Sequence, residues 1–164
     1  MTAAGVGGGT MELDQAKTIA AALVAELEPY CQKVMVAGSI RRQRPGVNDI
    51  DIVLIPANQG RLAVKLHELG MLGGSKLLRA FYHGAPVDLY LATEETFPML
   101  LLVRTGSAAF NRDLAIRAKQ MGLHFSAAGQ GILKNGVRVA WQSEEGILAA
   151  LGLPFIPPEK RERL

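Results

Sequence analysis

Asp49 and Asp51 stand one residue apart in NDIDIVLIP, a run that is otherwise apolar and β-branched. Such a run packs a sheet interior, where an uncompensated carboxylate is costly. Side chains at i and i+2 of a strand share a face, so the two acids project together and leave Ile50 and Ile52 for the other side. Two like charges this close either share a proton or bind a cation. Asp88 lies in a second alternation, VDLYL, where Val87, Leu89 and Leu91 take the core side. If the two strands are neighbours, three carboxylates converge. Hard oxygen ligands of this kind suit Mg²⁺ or Mn²⁺, completed by waters and substrate phosphates. Asp-x-Asp alone is equally compatible with a solvated sheet face.

The preceding residues tip the balance. Gly38 permits close backbone approach, and the Ser39 hydroxyl with neighbouring N–H groups can hold phosphate oxygens where a helix begins. Arg41 and Arg42 follow at once and Arg44 is close behind. Guanidinium beside a phosphate-sized nest and a metal-binding carboxylate pair suits the transfer of a nucleotidyl group.

Positioning these groups requires a sheet braced by helices. Apolar residues at Ala16, Ile19, Ala20, Leu23, Val24 and Leu27 predict an amphipathic helix from Thr10, its N-cap, to about Gln32. KVMVA and the run from Asp49 to Ile55 predict two strands, and Arg61 to Leu69 a helix stopped by Gly70. Ser75 to His83 and Ala85 to Leu91 predict two strands joined at His83-Gly84. A helical piece over Glu94 to Val103 leads to a helix capped by Thr105 or Ser107, burying Phe110, Leu114, Ala118 and Met121. Asn135-Gly136 predicts a hairpin, Ser143 caps a last helix, and the charged tail from Glu159 reads as a solvated terminus. The fold class is α+β: a mixed, largely antiparallel sheet with helices, plus a small helical lobe carrying a β-hairpin. Residues 1–10 read as a flexible tail, 11–92 as the first lobe and 93–164 as the second.

Bulk composition narrows the partners. The chain has 164 residues, 49% of them apolar, enough for a real core and against wholesale disorder. A net charge of +3 with a pI near 9.2 is compatible with a polyanion without requiring one. One cysteine, Cys31, excludes an internal disulfide, fits a reducing compartment and reads as a small apolar residue near a helix end. No zinc spacing, secretory signal or ~20-residue apolar span occurs, which implies a cytoplasmic protein, nucleoid-associated at most, with no membrane partner.

Gly38-Ser39, Arg41-Arg42 and Asp49-x-Asp51 together resemble the signature of the nucleotidyltransferase superfamily. With VDLYL, TGSAAFNRDL and SEEGILAALGLPFIPPEKRE in the same order, the chain resembles the palm and thumb of family X DNA polymerases over residues 12 to 163. The resemblance implies that Asp49, Asp51 and Asp88 hold two Mg²⁺ ions, with Mn²⁺ as a substitute, and that Asp88 helps deprotonate a primer 3′-hydroxyl. Gly38, Ser39 and Arg42 would receive the triphosphate. Val103, Arg104, Gly106, Phe110 and Asn111 would shape the nucleotide pocket, with Asn111 on the base. Arg41, Arg112, Arg117, Lys119, Lys134 and Arg138 would contact DNA, although Arg41 also suits a structural role.

The departures matter as well. Val103-Arg104 stands where the family carries an aromatic pair, Ala115 where many members have a template-contacting arginine, and Ala108 where a polar residue is common. The expectation is a minimal palm-plus-thumb DNA polymerase that fills gaps during repair. It would act as a monomer on a nucleoside triphosphate and primer-template or gapped DNA, with accessory repair proteins as further partners. It would discriminate weakly against ribonucleotides. The competing readings are template-independent terminal transfer, nucleotide transfer to RNA, a small molecule or a protein, and a non-catalytic nucleic-acid binder.

Overall fold

The computed structural model describes residues 9–164, so most of the stretch 1–10 expected as a tail lies outside the described residues. The first apolar stripe forms helix α1 (Leu13–Leu27), which buries Ala16, Ala20, Leu23 and Leu27. Thr10 does not cap it. Its hydroxyl donates to Asn48 Oδ1 at 2.9 Å, and strand β1 (Met11–Glu12) pairs with β3 (Gly46–Val47). Pro29 lies in a 3-10 turn over Glu28–Tyr30, so α1 ends early and Cys31 opens a strand.

That strand, β2 (Cys31–Val36), lies antiparallel to β4 (Ile50–Pro56) in a four-stranded sheet ordered β2-β4-β6-β5. Strand β6 (Ala85–Leu91) runs parallel to β4, and β5 (Leu77–Tyr82) is antiparallel to β6 at the edge. Between β2 and β3 sits a single helical turn, α2 (Gly38–Arg41).

The sheet is covered on both faces, which accounts for the unbroken apolar run of β4. Ile50, Ile52 and Leu54 join Val87 and Leu89 against α1 and helix α3 (Gln59–Glu68). Val53, Ile55 and Tyr90 pack with Phe97 and Leu101 of helix α4 (Phe97–Thr105). The period of two therefore puts Asp51 on the α4 side, beside Tyr90.

After α4, Ser107 caps helix α5 (Ala108–Gln120), its Oγ accepting from Phe110 N at 3.1 Å. Phe110, Leu114 and Ala118 are buried as expected. Met121 is 46% exposed, because the helix has ended there and the stripe no longer holds. Strands β8 (Gly131–Lys134) and β9 (Val137–Ala140) form the expected hairpin, joined by an unexpected third strand, β7 (His124–Ser126). Positive φ at His83-Gly84 (48° and 79°) and Asn135-Gly136 (50° and 77°) matches the hairpin turns read from those dipeptides. Ser143 caps helix α6 (Glu144–Ala150), whose Ile147 and Leu148 close a second core with Phe110 and Ile132.

The C-terminal stretch overturns its expectation as a solvated terminus. Arg161 is wholly buried, its Nη1 donating to Glu144 Oε1 at 2.8 Å and its Nε to Ile156 O. Glu162 pairs with Arg42 and Arg163 with Asp113, so each charge in the tail from Arg161 to Arg163 has a partner more than 15 residues away. The alternation that reads as solvation along the chain is complementarity across the fold.

Candidate active site

Parallel pairing of β4 with β6 sets Asp51 directly opposite Asp88, with Asp49 in the bend just before β4. Burial pushes the Asp51 carboxyl up to about 7, and the charges of Asp49 and Asp88 add to the rise. Asp49 is also raised, by burial first and then by Asp88, with Arg79 pulling the other way. Tyr90, two residues beyond Asp88, donates its hydroxyl to Asp51 Oδ1 at 3.4 Å. Burial, followed by the Asp51 charge, pushes that phenol up to about 12 and keeps it a neutral donor.

Convergence of the three carboxylates is incomplete. Asp88 Oδ1 lies 3.3 Å from Arg79 Nε, and among the described residues no three His, Cys, Asp or Glu side chains stand as a ready ligand group. The donor chemistry nonetheless fits hard divalent cations. Three carboxylates lie at or near neighbouring inner strands. Asp49 and Asp51 are raised first by burial and then by the charge of a neighbouring aspartate, both of which such cations offset.

Asp49 and Asp51 line a cleft of about 470 Å³, and Asp88 stands beside it through its register with Asp51. On one wall are Gly38, Ser39 and Arg42. Gly38 has φ +61°, and a Cβ there would stand 2.2 Å from Asp51 Oδ2, so only glycine lets α2 start beside the acid. The first turn of α2 leaves N–H groups without helical acceptors, next to the Ser39 hydroxyl. On the opposite wall, α4 ends at Thr105 and the chain turns through Gly106, where a Cβ would meet Arg42 Nη1 at 3.0 Å. Val103, Arg104, Gly106, Ala108 and Asn111 complete that wall.

Two polar atoms near the cleft are buried without partners: Asn111 Oδ1 and Arg104 Nε. Asn111 is held by its Nδ2, which donates to Val103 O at 2.8 Å, leaving the acceptor idle. The Arg104 guanidinium lies 4.3 Å from the Tyr90 ring centre, a cation–π contact that brings positive charge towards Asp51.

Several expected site residues are engaged elsewhere. The Arg41 guanidinium forks onto Glu144 (2.7 and 2.9 Å) and reaches Thr105 Oγ1, so its donors are engaged within the fold. Phe110 is wholly buried in the second core, because positions 110, 114 and 118 form one stripe, so it supports the cleft wall from behind. Arg117 donates to Leu151 O beyond the end of α6. Arg138 donates to Gln130 O and Glu95 and lies 4.7 Å from the Trp141 ring centre. Arg112, Lys119 and Lys134 are exposed. Arg42 lines the cleft, but its Nε pairs with Glu162 at 2.9 Å and its Nη1 donates to Thr105 O. Tyr90, Arg79 and Glu162 escaped the sequence reading. Hairpin arithmetic from His83-Gly84 would have found Arg79, since counting back from the 82–85 pair sets 79 opposite 88.

A family model described as DNA polymerase beta thumb matches residues 100–162. The DNA polymerase/3′-5′ exonuclease PolX of Bacillus subtilis (strain 168) is 34% identical over 134 residues, 77% of this chain and 24% of that protein. The human DNA-directed DNA/RNA polymerase mu is 35% identical over 91 residues, 55% of this chain and 18% of that protein. The chain thus spans about a quarter or less of these curated relatives. In fold it is similar to Leishmania infantum polymerase beta, solved as a ternary P/T complex, with a TM-score of 0.78 and 19% identity. That match covers 93% of this chain and 77% of the other.

Proposed function

We propose that this chain is a family X DNA polymerase and that it adds nucleotides to a primer 3′-hydroxyl by two-metal phosphoryl transfer, filling gaps in DNA. Residues 11–92 act as the palm and 93–164 as the thumb. The observation that carries the reading is the Asp51–Asp88 register pair, with Asp51 and Asp49 on the wall of a cleft flanked by Gly38-Ser39 and Gly106.

Asp49, Asp51 and Asp88 would hold Mg²⁺, or Mn²⁺ in its place. When bound, the two ions supply acidification of the 3′-hydroxyl and charge neutralisation of the triphosphate and leaving pyrophosphate. The chain's own residues do the rest. Asp88, on the edge nearest the primer, accepts the hydroxyl proton. Ser39 donates to phosphate oxygens, and Arg42, anchored through Nη1 to Thr105 O, presents its charge to the same oxygens once Glu162 releases it. Gly106 keeps the floor low enough for the sugar, and Tyr90 fixes one oxygen of Asp51 so that the other faces the cleft. The buried, idle Asn111 Oδ1 at the head of α5 supports its reading as an acceptor for the base. Arg112, Lys119 and Lys134 offer charge to DNA.

Arg104 in place of an aromatic side chain removes a flat wall from the sugar and leaves a donor, which favours acceptance of ribonucleotides alongside deoxynucleotides. A single half-buried cysteine, its thiol pushed up to about 11 by burial, suits a reducing cytoplasmic setting, and among the described residues no helix is long and apolar enough to cross a membrane.

Extension of a labelled gapped duplex with each dNTP and NTP, with and without template strand, tests the assignment. Template-directed extension with both sugars is expected, and Asp88→Ala should abolish it while leaving thermal unfolding intact. Near-normal extension by that variant, or extension that ignores the template, would refute the reading.

A further inference from the structure

Arg79 makes the one ion pair that any of the three aspartates has among the described residues, yet its side chain is 75% exposed. A single exposed contact of this kind contributes little to stability, so folding does not explain why an arginine stands there. It lies on β5, the edge strand, and cross-strand pairing puts it on the same face as Asp88 and, beyond that, Asp51. Two residues along the same face is Phe81, a large aromatic left 60% exposed. The sheet thus presents, in register across β4, β6 and β5, an acid pair and then a guanidinium, with an aromatic ring beside the guanidinium along the edge strand.

Under the polymerase reading, a primer 3′-hydroxyl must come to Asp88, and Asp88 must turn from Arg79 to receive it. That exchange frees a guanidinium fork at the moment a phosphodiester arrives, because the last internucleotide phosphate adjoins the sugar that carries the hydroxyl. We propose that Arg79 and Phe81 form the seat of the primer strand's end. Arg79 hydrogen-bonds the terminal phosphodiester, and Phe81 packs on the sugar behind it. Before DNA arrives, Arg79 is the counter-ion of Asp88; afterwards the DNA phosphate takes over its charge. The exchange swaps one ion pair for another, so loading a primer also releases the acid that the reaction needs. This inference rests on the reading above and adds a strand-specific subsite to it.

Anisotropy of a labelled gapped duplex at several salt concentrations, with single-nucleotide extension of the same duplex, tests it. Arg79→Ala should weaken binding about three- to fivefold and reduce the slope of log affinity against log salt by about 1. Arg79→Lys should keep the slope. Phe81→Ala should weaken binding without moving the slope, and the thermal midpoint should stay at the wild-type value in all three. An unchanged salt slope in Arg79→Ala overturns the inference while wild-type extension stands. Absence of extension by the wild-type chain would instead overturn the polymerase reading itself.

Discussion

Replacing Glu144 by alanine removes the one anion that two buried guanidiniums share. Arg161 is wholly buried, and the side chains of Arg41 and Glu144 are 17% and 10% exposed. Four hydrogen bonds between 2.7 and 3.4 Å converge on the two carboxylate oxygens, from Arg41 on α2 and from Arg161 in the tail. With Glu144 gone, two cations face each other in a space largely closed to water. Breaking a buried ion pair by removing one partner costs about 3–5 kcal/mol, mostly the penalty of the stranded charge. Against a total of about 5–15 kcal/mol for a domain, that is a large fraction. At about 2–4 °C per kcal/mol for a chain of this size, the midpoint should fall by roughly 6–20 °C. Glu144→Gln keeps one acceptor oxygen and should cost less.

Urea unfolding followed by circular dichroism is the assay, repeated from pH 7 down to pH 3. Burial alone would raise the Glu144 carboxyl, but the hydrogen bonds from Arg41 and Arg161 outweigh it and hold the group below the ordinary carboxylate range. A depressed folded-state value means that the contribution is complete above the unfolded value near 4.3 and is lost as pH falls through the folded one. The gap between wild type and Glu144→Gln should therefore be constant at neutral pH and close in acid. A loss below about 1 kcal/mol for Glu144→Ala, or a gap that persists unchanged to pH 3, would refute the reasoning.

Two further expectations concern the cleft. Glu162 occupies the Arg42 guanidinium at 2.9 Å and lies 3.6 Å from Arg44, where a triphosphate would otherwise bind, so Glu162→Gln should lower the nucleotide KM. Since a half-exposed pair is worth at most about 1 kcal/mol, the gain should not exceed about fivefold; an unchanged or raised KM sinks the idea. Asp51, pushed up to about 7, binds its proton more tightly in the folded chain than in the unfolded one. Its contribution to metal-free stability is complete below about pH 4 and is lost as pH rises through 7, so Asp51→Asn should flatten that slope in unfolding curves measured with a chelator. Added Mg²⁺ should raise the wild-type midpoint more at pH 8 than at pH 6.

Local order alone was enough to place Gly38-Ser39 ahead of Asp49-x-Asp51, both hairpin turns and the Ser143 cap, and to narrow the start of α5 to Thr105 or Ser107. Each of these depends on residues within a few positions of one another, where backbone sterics and side-chain period act directly. The face that Asp51 takes is legible for the same reason. Its partners are not. Arg41 and Arg42 are identical neighbours in sequence, yet one is sealed against Glu144, 103 residues away, and the other lines the cleft. Arg161 reads as a solvated charge and is wholly buried, because the carboxylate that neutralises it, Glu144, comes from α6. Periodicity reports how a side chain stands relative to its own backbone; which distant charge meets it is settled only when the two cores pack. That is why three aspartates were visible as a group in the chain, while Tyr90, Arg79 and Glu162, which govern the charge around them, emerged only in three dimensions.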